Sequence, residues 1–194
     1  MKFIAVLICT LFSMNAFAEK CTYEFDLDKS EVSGTGFKFT EKKAVKAKFL
    51  QFTLNKSEKK ASVKELLDDL EVTVDLMALD SGDALRDKNL RETFFAAIIG
   101  NAEAKVQVKS VKKDVLETIL HLNDKSLPVN FNYKIKGNTV EATGNFDAAT
   151  FAMGDSVAAL KKRCGSLHTG EDGVSKTWTE FDLAVKGVTK KVCK

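Results

Sequence analysis

The feature that most constrains the fold of this chain is a succession of short segments in which apolar and polar residues alternate. Alternation with a period of two is the pattern of a half-buried β-strand. The segments lie at residues 33–39, 45–54, 72–79, 102–110, 115–122, 129–136, 139–147 and 177–186. Gly137-Asn138, between two of them, is typical of a two-residue hairpin turn. The connections are too short for parallel crossovers, except where a helix intervenes.

About eight antiparallel strands would leave two exposed sheet edges unless the sheet closes into a barrel. We therefore predict an all-β fold, an eight-stranded antiparallel β-barrel with short helical insertions. Helices are predicted at residues 63–70 and 155–163. The apolar phase of the segment 45–54 changes at Leu50, which predicts a β-bulge there. Residues 19–194 are few enough for one domain of roughly 100–200 residues.

The segment from Leu79 to Phe95 interrupts the alternation. A turn at residues 80–83 follows the predicted strand and can cap a helix through Ser81 or Asp83. Apolar residues then recur roughly at helical intervals, at Leu85, Leu90, Phe94 and Ile98. A short amphipathic helix that ends in two phenylalanines is an unusual insertion for a sheet protein.

This block resembles the signature of the YceI-like lipid-binding proteins. In that family a strand ends in a Ser/Thr-Gly turn, followed by Arg-Asp, Leu-Arg and a double Phe. The matching residues are Ser81-Gly82, Arg86-Asp87, Leu90-Arg91 and Phe94-Phe95. Residues 23–32 and 45–49 also fit the family's opening strand and its basic second strand. The family often has histidine where this chain has Lys29 and Asn89, so no role of those histidines carries over.

The resemblance implies a lipocalin-like barrel that holds a long isoprenoid or similar lipid tail, and a binding protein rather than an enzyme. From the pattern alone, an eight-stranded barrel is either just filled by side chains or holds one small ligand. The resemblance favours a tunnel. Residues on the apolar phase of their elements are predicted to line it: Phe37, Phe39, Phe49, Leu76, Phe94, Phe131, Tyr133, Phe146 and Phe181.

Arg86 is a candidate for holding the polar end of the ligand. The alternative is that Arg86 and Asp87 pair with each other and with helix ends, and so fix the insertion. We favour this structural role, because a charged pair in a turn usually binds its own backbone.

The first residues predict export. Lys2 is followed by an apolar run at residues 3–12 and by Ala16-Phe17-Ala18, a small-x-small cleavage site. This pattern predicts a secretory signal peptide at residues 1–18 and a periplasmic or secreted protein that begins at Glu19. No later segment is apolar over the roughly 20 residues that a membrane helix needs. We therefore expect a soluble mature protein.

Three cysteines follow the predicted cleavage site: Cys21, Cys164 and Cys193. In an oxidising compartment, one disulfide and one remaining thiol are the simplest arrangement. Cys21 begins the first strand and Cys193 ends the last, and these positions lie side by side in a closed antiparallel barrel. We predict a Cys21–Cys193 disulfide, with Cys164 as a free thiol or as a bridge between two chains.

Other kinds of site have little support in the sequence. The formal net charge is only +3 and the charges are scattered, which argues against nucleic-acid binding. The basic run at residues 42–48 fits the solvated face of a strand better than an anion-binding edge. No metal or cofactor motif is present, and His121 and His168 fit surface positions.

Two other functions remain open. One is a secreted enzyme that acts on a lipid or quinone, with Cys164, His168 or His121 as the reactive group. The other is a structural protein with a filled core. A homodimer and a transient contact with a membrane are also open.

Overall fold

The computed structural model describes residues 20–55 and 58–193. The predicted signal peptide at residues 1–18 lies outside these residues. The described chain is mostly antiparallel β-sheet, which confirms the predicted fold class. The strands are β1 (Cys21–Lys38), β2 (Lys43–Phe49), β3 (Phe52–Leu54), β4 (Glu71–Asp75), β5 (Leu79–Asp80), β6 (Glu103–Val111), β7 (Val115–Leu122), β8 (Lys125–Lys136), β9 (Thr139–Asp147) and β10 (Glu180–Cys193). Their order in the sheet is β3-β4-β6-β7-β8-β9-β10-β1-β2-β5.

The described residues form ten strands rather than eight, because two of the predicted strands are interrupted. Leu50 and Gln51 separate β2 from β3, and residues 76–78 separate β4 from β5. The pairing continues across both breaks, since the Leu50 amide donates to the Ala78 carbonyl (2.7 Å) and the Asp75 amide to the Gln51 carbonyl (3.0 Å). Residues 48–54 therefore pair with residues 72–80 and close the curled sheet on itself. We call this pairing the seam. At Leu50, where a bulge was predicted, the strand is interrupted instead, and this break lies at the seam.

Helical segments lie between the strands. The helix predicted at residues 63–70 is only a 3₁₀ turn, Glu65–Leu67. The block after β5 forms α1 (Ala84–Asn89), which continues as a π-helical segment, Leu90–Phe95. The helix predicted at residues 155–163 is α2 (Gly154–Cys164), and a 3₁₀ turn, Gly165–His168, follows it. Between residues 20 and 193, apart from 56–57, no helix is both long and apolar enough to cross a membrane.

The first and last strands pair along most of their length, from Cys21 opposite Cys193 to Thr35 opposite Asp182. The Cys21–Cys193 disulfide joins the outer end of this pairing, with 3.9 Å between the two Cα atoms. The predicted connectivity is therefore confirmed. Cys164 is free and buried, so a bridge from it to a second chain does not fit this structure.

The two helical insertions contact each other and cover part of the barrel. The Asn123 side chain donates to the carbonyls of Phe151 (2.8 Å) and Ala152 (3.1 Å) and accepts from the Ile99 amide (2.7 Å). The Arg163 Nε of α2 donates to the Asn89 side-chain oxygen at 3.2 Å. These bonds hold α1, the π-helical segment and α2 in place over the barrel interior.

Candidate functional site

A cavity of about 350 Å³ lies inside the barrel, beneath the two helical insertions. This volume is near the lower end of the range for small-molecule sites, roughly 300–1,000 Å³. The strands β1, β2 and β10 form one part of its wall, and the α1 and π-helical segment forms another. Most of the side chains that line it are aliphatic or aromatic. The interior can therefore exclude water from an apolar ligand.

Seven of the nine residues predicted to line a tunnel do line this cavity: Phe37, Phe49, Leu76, Phe94, Phe131, Phe146 and Phe181. Several of these rings contact one another. The Phe94 and Phe181 ring centroids are 5.3 Å apart, and those of Phe146 and Phe181 are 5.5 Å apart. Offset and tilted ring contacts of this kind stabilise the wall beyond the area that they bury.

Phe39 and Tyr133 do not line the cavity. Phe39 lies where β1 turns towards β2, in the left-handed backbone region (φ 63°), and the Lys38 Nζ lies 4.5 Å from its ring centroid. Tyr133 is buried, but its hydroxyl donates to the Lys112 carbonyl at 3.0 Å. Strand alternation predicts which side of the sheet a residue faces, but not how far along the barrel the cavity extends.

Two glycines leave space for rings that line the cavity. A Cβ on Gly36 would lie 3.1 Å from a Phe181 ring carbon, and one on Gly144 would lie 3.1 Å from a Phe131 ring carbon. Larger residues at these two positions would push the rings into the cavity. The mixture of large and small inward residues therefore sets the shape of the interior.

The cavity opens at the end of β1. Leu85 and Leu167 line it and are 60% and 52% exposed, which places them at the mouth. Polar side chains that also line the cavity form what we call the collar: Lys38, Asp83, Arg86, Asn89, His168 and Thr177.

The segment before β10 is hydrogen-bonded to the end of β1. The Trp178 amide donates to the Phe37 carbonyl (3.2 Å), and the Trp178 indole Nε1 donates to the Phe39 carbonyl (2.8 Å). Lys38 and Thr177 also form a β-bridge. These contacts bring residues far apart in the sequence to one mouth.

His168 is half-buried in the collar. Its Nδ1 lies 2.6 Å from the Thr177 hydroxyl oxygen. Burial, and to a smaller extent the charge of Lys38, lower the pKa of His168 below its ordinary 6.5. His168 is therefore neutral at pH 7 and offers hydrogen bonds rather than charge.

Arg86 and Asp87 both bind Ser81 rather than each other, which corrects the predicted pair. Arg86 Nε donates to the Ser81 hydroxyl (2.8 Å), and its NH2 group donates to the Ser81 carbonyl (2.8 Å). The buried Asp87 carboxylate accepts from the Ser81 amide (3.0 Å) and from the Ser81 hydroxyl. Gly82 has a φ of 78°, a region that favours glycine. The Ser-Gly turn thus fixes the start of α1, as the structural role predicts, and Arg86 still faces the cavity.

Asp83 rather than Ser81 caps α1. Its carboxylate accepts from the Leu85 and Arg86 amides, each at 3.0 Å. These backbone bonds, the one from Arg86 above all, lower the pKa of Asp83. The carboxylate is therefore ionised at pH 7 and stabilises the N-terminus of the helix.

Cys164 and His168 line the cavity, although the sequence suggested a connecting segment and a surface position for them. Met153, Leu160 and Cys164 face the cavity at spacings of seven and four, a helical pattern that could have revealed Cys164. No such pattern marks His168. Burial raises the pKa of the Cys164 thiol. In the described part of the chain no hydrogen bond joins the two residues, so they do not form a nucleophile–base pair.

The other candidates lie on the outside of the barrel. His121 Nδ1 lies 2.7 Å from the exposed Ser126 hydroxyl. Lys46 and Lys48 form ion pairs with Glu31 (3.1 Å and 2.6 Å), as expected for the solvated face of β2. Across residues 20–55 and 58–193, no group of three or more His, Cys, Asp or Glu residues could hold a metal ion.

Solved structures that share this fold include the following two. A polyisoprenoid-binding domain from Saccharophagus degradans, implicated in plant cell wall breakdown, superposes with a TM-score of 0.59 at 12% identity, over 87% of this chain and 97% of that one. Burkholderia cenocepacia BcnA gives a TM-score of 0.56 at 16% identity, over 86% and 99%. At such low identity these likenesses show the fold alone. No curated protein sequence matches the chain.

The family model described as the YceI-like domain matches residues 23–172. The match includes most of β1, which forms a large part of the cavity wall, and the Ser81–Phe95 block, which holds three of the six collar residues and two cavity phenylalanines. The matched residues make up well over half of the chain, and so the chain belongs to the YceI-like family.

Proposed function

We propose that this protein binds a long-chain lipid, with an isoprenoid or similar tail held in the barrel cavity. The observation that carries the proposal is the cavity itself, with its apolar wall, its exposed mouth and its phenylalanine cluster. Burying apolar surface contributes roughly 25 cal/mol per Å², so about 100 Å² of tail would contribute about 2.5 kcal/mol. The Saccharophagus degradans relative is itself described as a polyisoprenoid-binding domain, which supports the same ligand class.

The alternatives are less well supported. An enzyme acting on a lipid or quinone would need an activated group in the cavity, but burial raises the pKa of Cys164 and thus favours the unreactive thiol. The His168 Nδ1 faces Thr177 instead of the thiol. A structural protein with a filled core does not fit a cavity of about 350 Å³.

We further propose that the protein works in the periplasm or outside the cell. The signal pattern at residues 1–18 supports this, and so does the Cys21–Cys193 disulfide, since disulfides persist in oxidising compartments. The predicted homodimer and the predicted membrane contact remain predictions. Sedimentation of the purified protein and flotation with lipid vesicles would test them.

A pair of matched substitutions in β2 tests the cavity as the ligand site. Ala47 lines the cavity, whereas Ala44 on the same strand is exposed and does not line it. Ala47→Phe should fill part of the cavity and lower the amount of lipid that co-purifies, measured by extraction and mass spectrometry. Ala44→Phe should leave lipid occupancy unchanged. If folded Ala47→Phe carries as much lipid as the unsubstituted protein, the cavity is not the ligand site.

A further inference from the structure

Among the described residues, three charged side chains line the cavity: Lys38, Asp83 and Arg86. Asp83 is already engaged, because its carboxylate caps α1 through the Leu85 and Arg86 amides. The cavity mouth therefore carries two cations and one carboxylate that is committed to a helix end.

Neither cation has an ion-pair partner in the described part of the chain. Lys38 Nζ donates to the Leu167 carbonyl at 3.3 Å, and Arg86 donates to the carbonyl and hydroxyl of Ser81. These acceptors are neutral, and no described carboxylate oxygen comes within 4.0 Å of either cation. An ammonium has three donors and a guanidinium five, so donors remain on both.

The acidic groups nearby are engaged elsewhere. Asp87 is buried against Ser81, Glu180 pairs with Lys42, and Asp172 accepts from the Thr40 hydroxyl. Backbone bonds lower the pKa of Asp83 and burial lowers that of His168, and the charge of Lys38 adds a smaller lowering to both. The Lys38 ammonium lies at the mouth, because it donates to the carbonyl of Leu167, and it lies 4.5 Å from the Phe39 ring centroid.

We infer that the ligand of this cavity carries an anionic head, a carboxylate or a phosphate, at the end of its apolar tail. Lys38 and Arg86 bind the anion, and neutral His168 adds a hydrogen bond beside them. The tail then extends from the collar into the phenylalanine-lined interior. This inference rests on the proposed lipid-binding function and adds the chemistry of the head.

The test compares ligands with one tail and different heads. Dodecanoate, its methyl ester and dodecyl phosphate compete with a fluorescent apolar probe for the delipidated protein at pH 8. We expect at least one of the two anions to bind roughly 5-fold or more tightly than the ester, since charge-assisted hydrogen bonds are about twice as strong as neutral ones. Added salt should reduce this advantage, because ions screen charges near the surface.

Lys38→Gln should reduce the anion-over-ester preference roughly 3- to 5-fold, a modest change because the mouth is partly solvated. The matched control is Lys43→Gln, since Lys43 is exposed on the neighbouring strand and does not line the cavity. This control should leave the preference unchanged. Thermal unfolding of both variants confirms that each is folded.

The outcomes test the anionic head and the binding of the apolar tail separately. Preference for both anions supports the inference, and preference for only one of them narrows the head to that group. Equal binding of the ester and both anions overturns the inference and leaves the lipid-binding proposal standing. Binding of none of the three overturns the lipid-binding proposal as well. If the anion-over-ester preference is unchanged in Lys38→Gln, Lys38 does not bind the head.

Discussion

Removing the Ser81 hydroxyl should loosen the turn that holds α1. This hydroxyl donates to the buried Asp87 carboxylate and accepts from Arg86 Nε. In Ser81→Ala the carboxylate keeps the Ser81 amide (3.0 Å) but loses its second donor. A hydrogen bond to a charged group contributes about 1.5–3 kcal/mol, and water can replace the bond to half-buried Arg86. We therefore expect the free energy of unfolding to fall by about 1–3 kcal/mol.

Urea denaturation followed by Trp178 fluorescence measures this loss. With a slope of about 2 kcal/mol per molar urea, the midpoint should fall by roughly 0.5–1.5 M. Ser81→Thr keeps a hydroxyl and should restore most of the stability. Ser126→Ala is the matched control, because its hydroxyl bonds His121 on the exposed outer surface and its removal should cost under about 0.5 kcal/mol. Equal midpoints for Ser81→Ala and Ser126→Ala would refute the structural role of the turn.

Four further outcomes are expected. Replacing Cys21 and Cys193 by serine should lower stability by about 2–5 kcal/mol in urea, since the disulfide spans 172 residues; an unchanged midpoint would contradict this. Cys164 should react slowly with a thiol reagent in native protein and fast in urea, because it is buried; a fast reaction in native protein would show that the reagent reaches Cys164 through the cavity mouth. The pKa of His168 should lie below 6.5 by NMR, so stability should fall as pH drops below about 6.5, and His168→Gln should flatten that dependence. N-terminal sequencing of exported protein should begin at Glu19, and retention of residues 1–18 would contradict the cleavage prediction.

Local alternation was enough to predict the central strands. The bounds of β7 and β9 agree with the predicted segments 115–122 and 139–147. It was not enough for β1 and β10, which are 18 and 14 residues long. The end of β10, residues 187–193, does not alternate regularly, and its place in the sheet is set by pairing with β1 and by the disulfide. The cysteines revealed this pairing because the disulfide constrains residues that are distant in the sequence.

The collar could not be predicted in the same way. Lys38 ends a strand, His168 belongs to a segment without helical or strand periodicity, and Thr177 only begins the predicted segment 177–186. They meet because the backbone of residues 176–178 pairs with that of residues 37–39, a tertiary contact that leaves no local pattern in either segment. The phenylalanine wall, in contrast, follows the phase of its own elements, and so seven of its residues were identified in advance.

The barrel can widen most easily at the seam. β3 and β5 have only three and two residues, so few backbone hydrogen bonds close the sheet there. Segments held by few hydrogen bonds open locally at low free-energy cost. Phe49 and Leu76 line the cavity on the two sides of the seam. Separation of the broken strands would therefore enlarge the interior while the disulfide-linked β1–β10 pair stays closed, and amide hydrogen exchange should be fastest along this line.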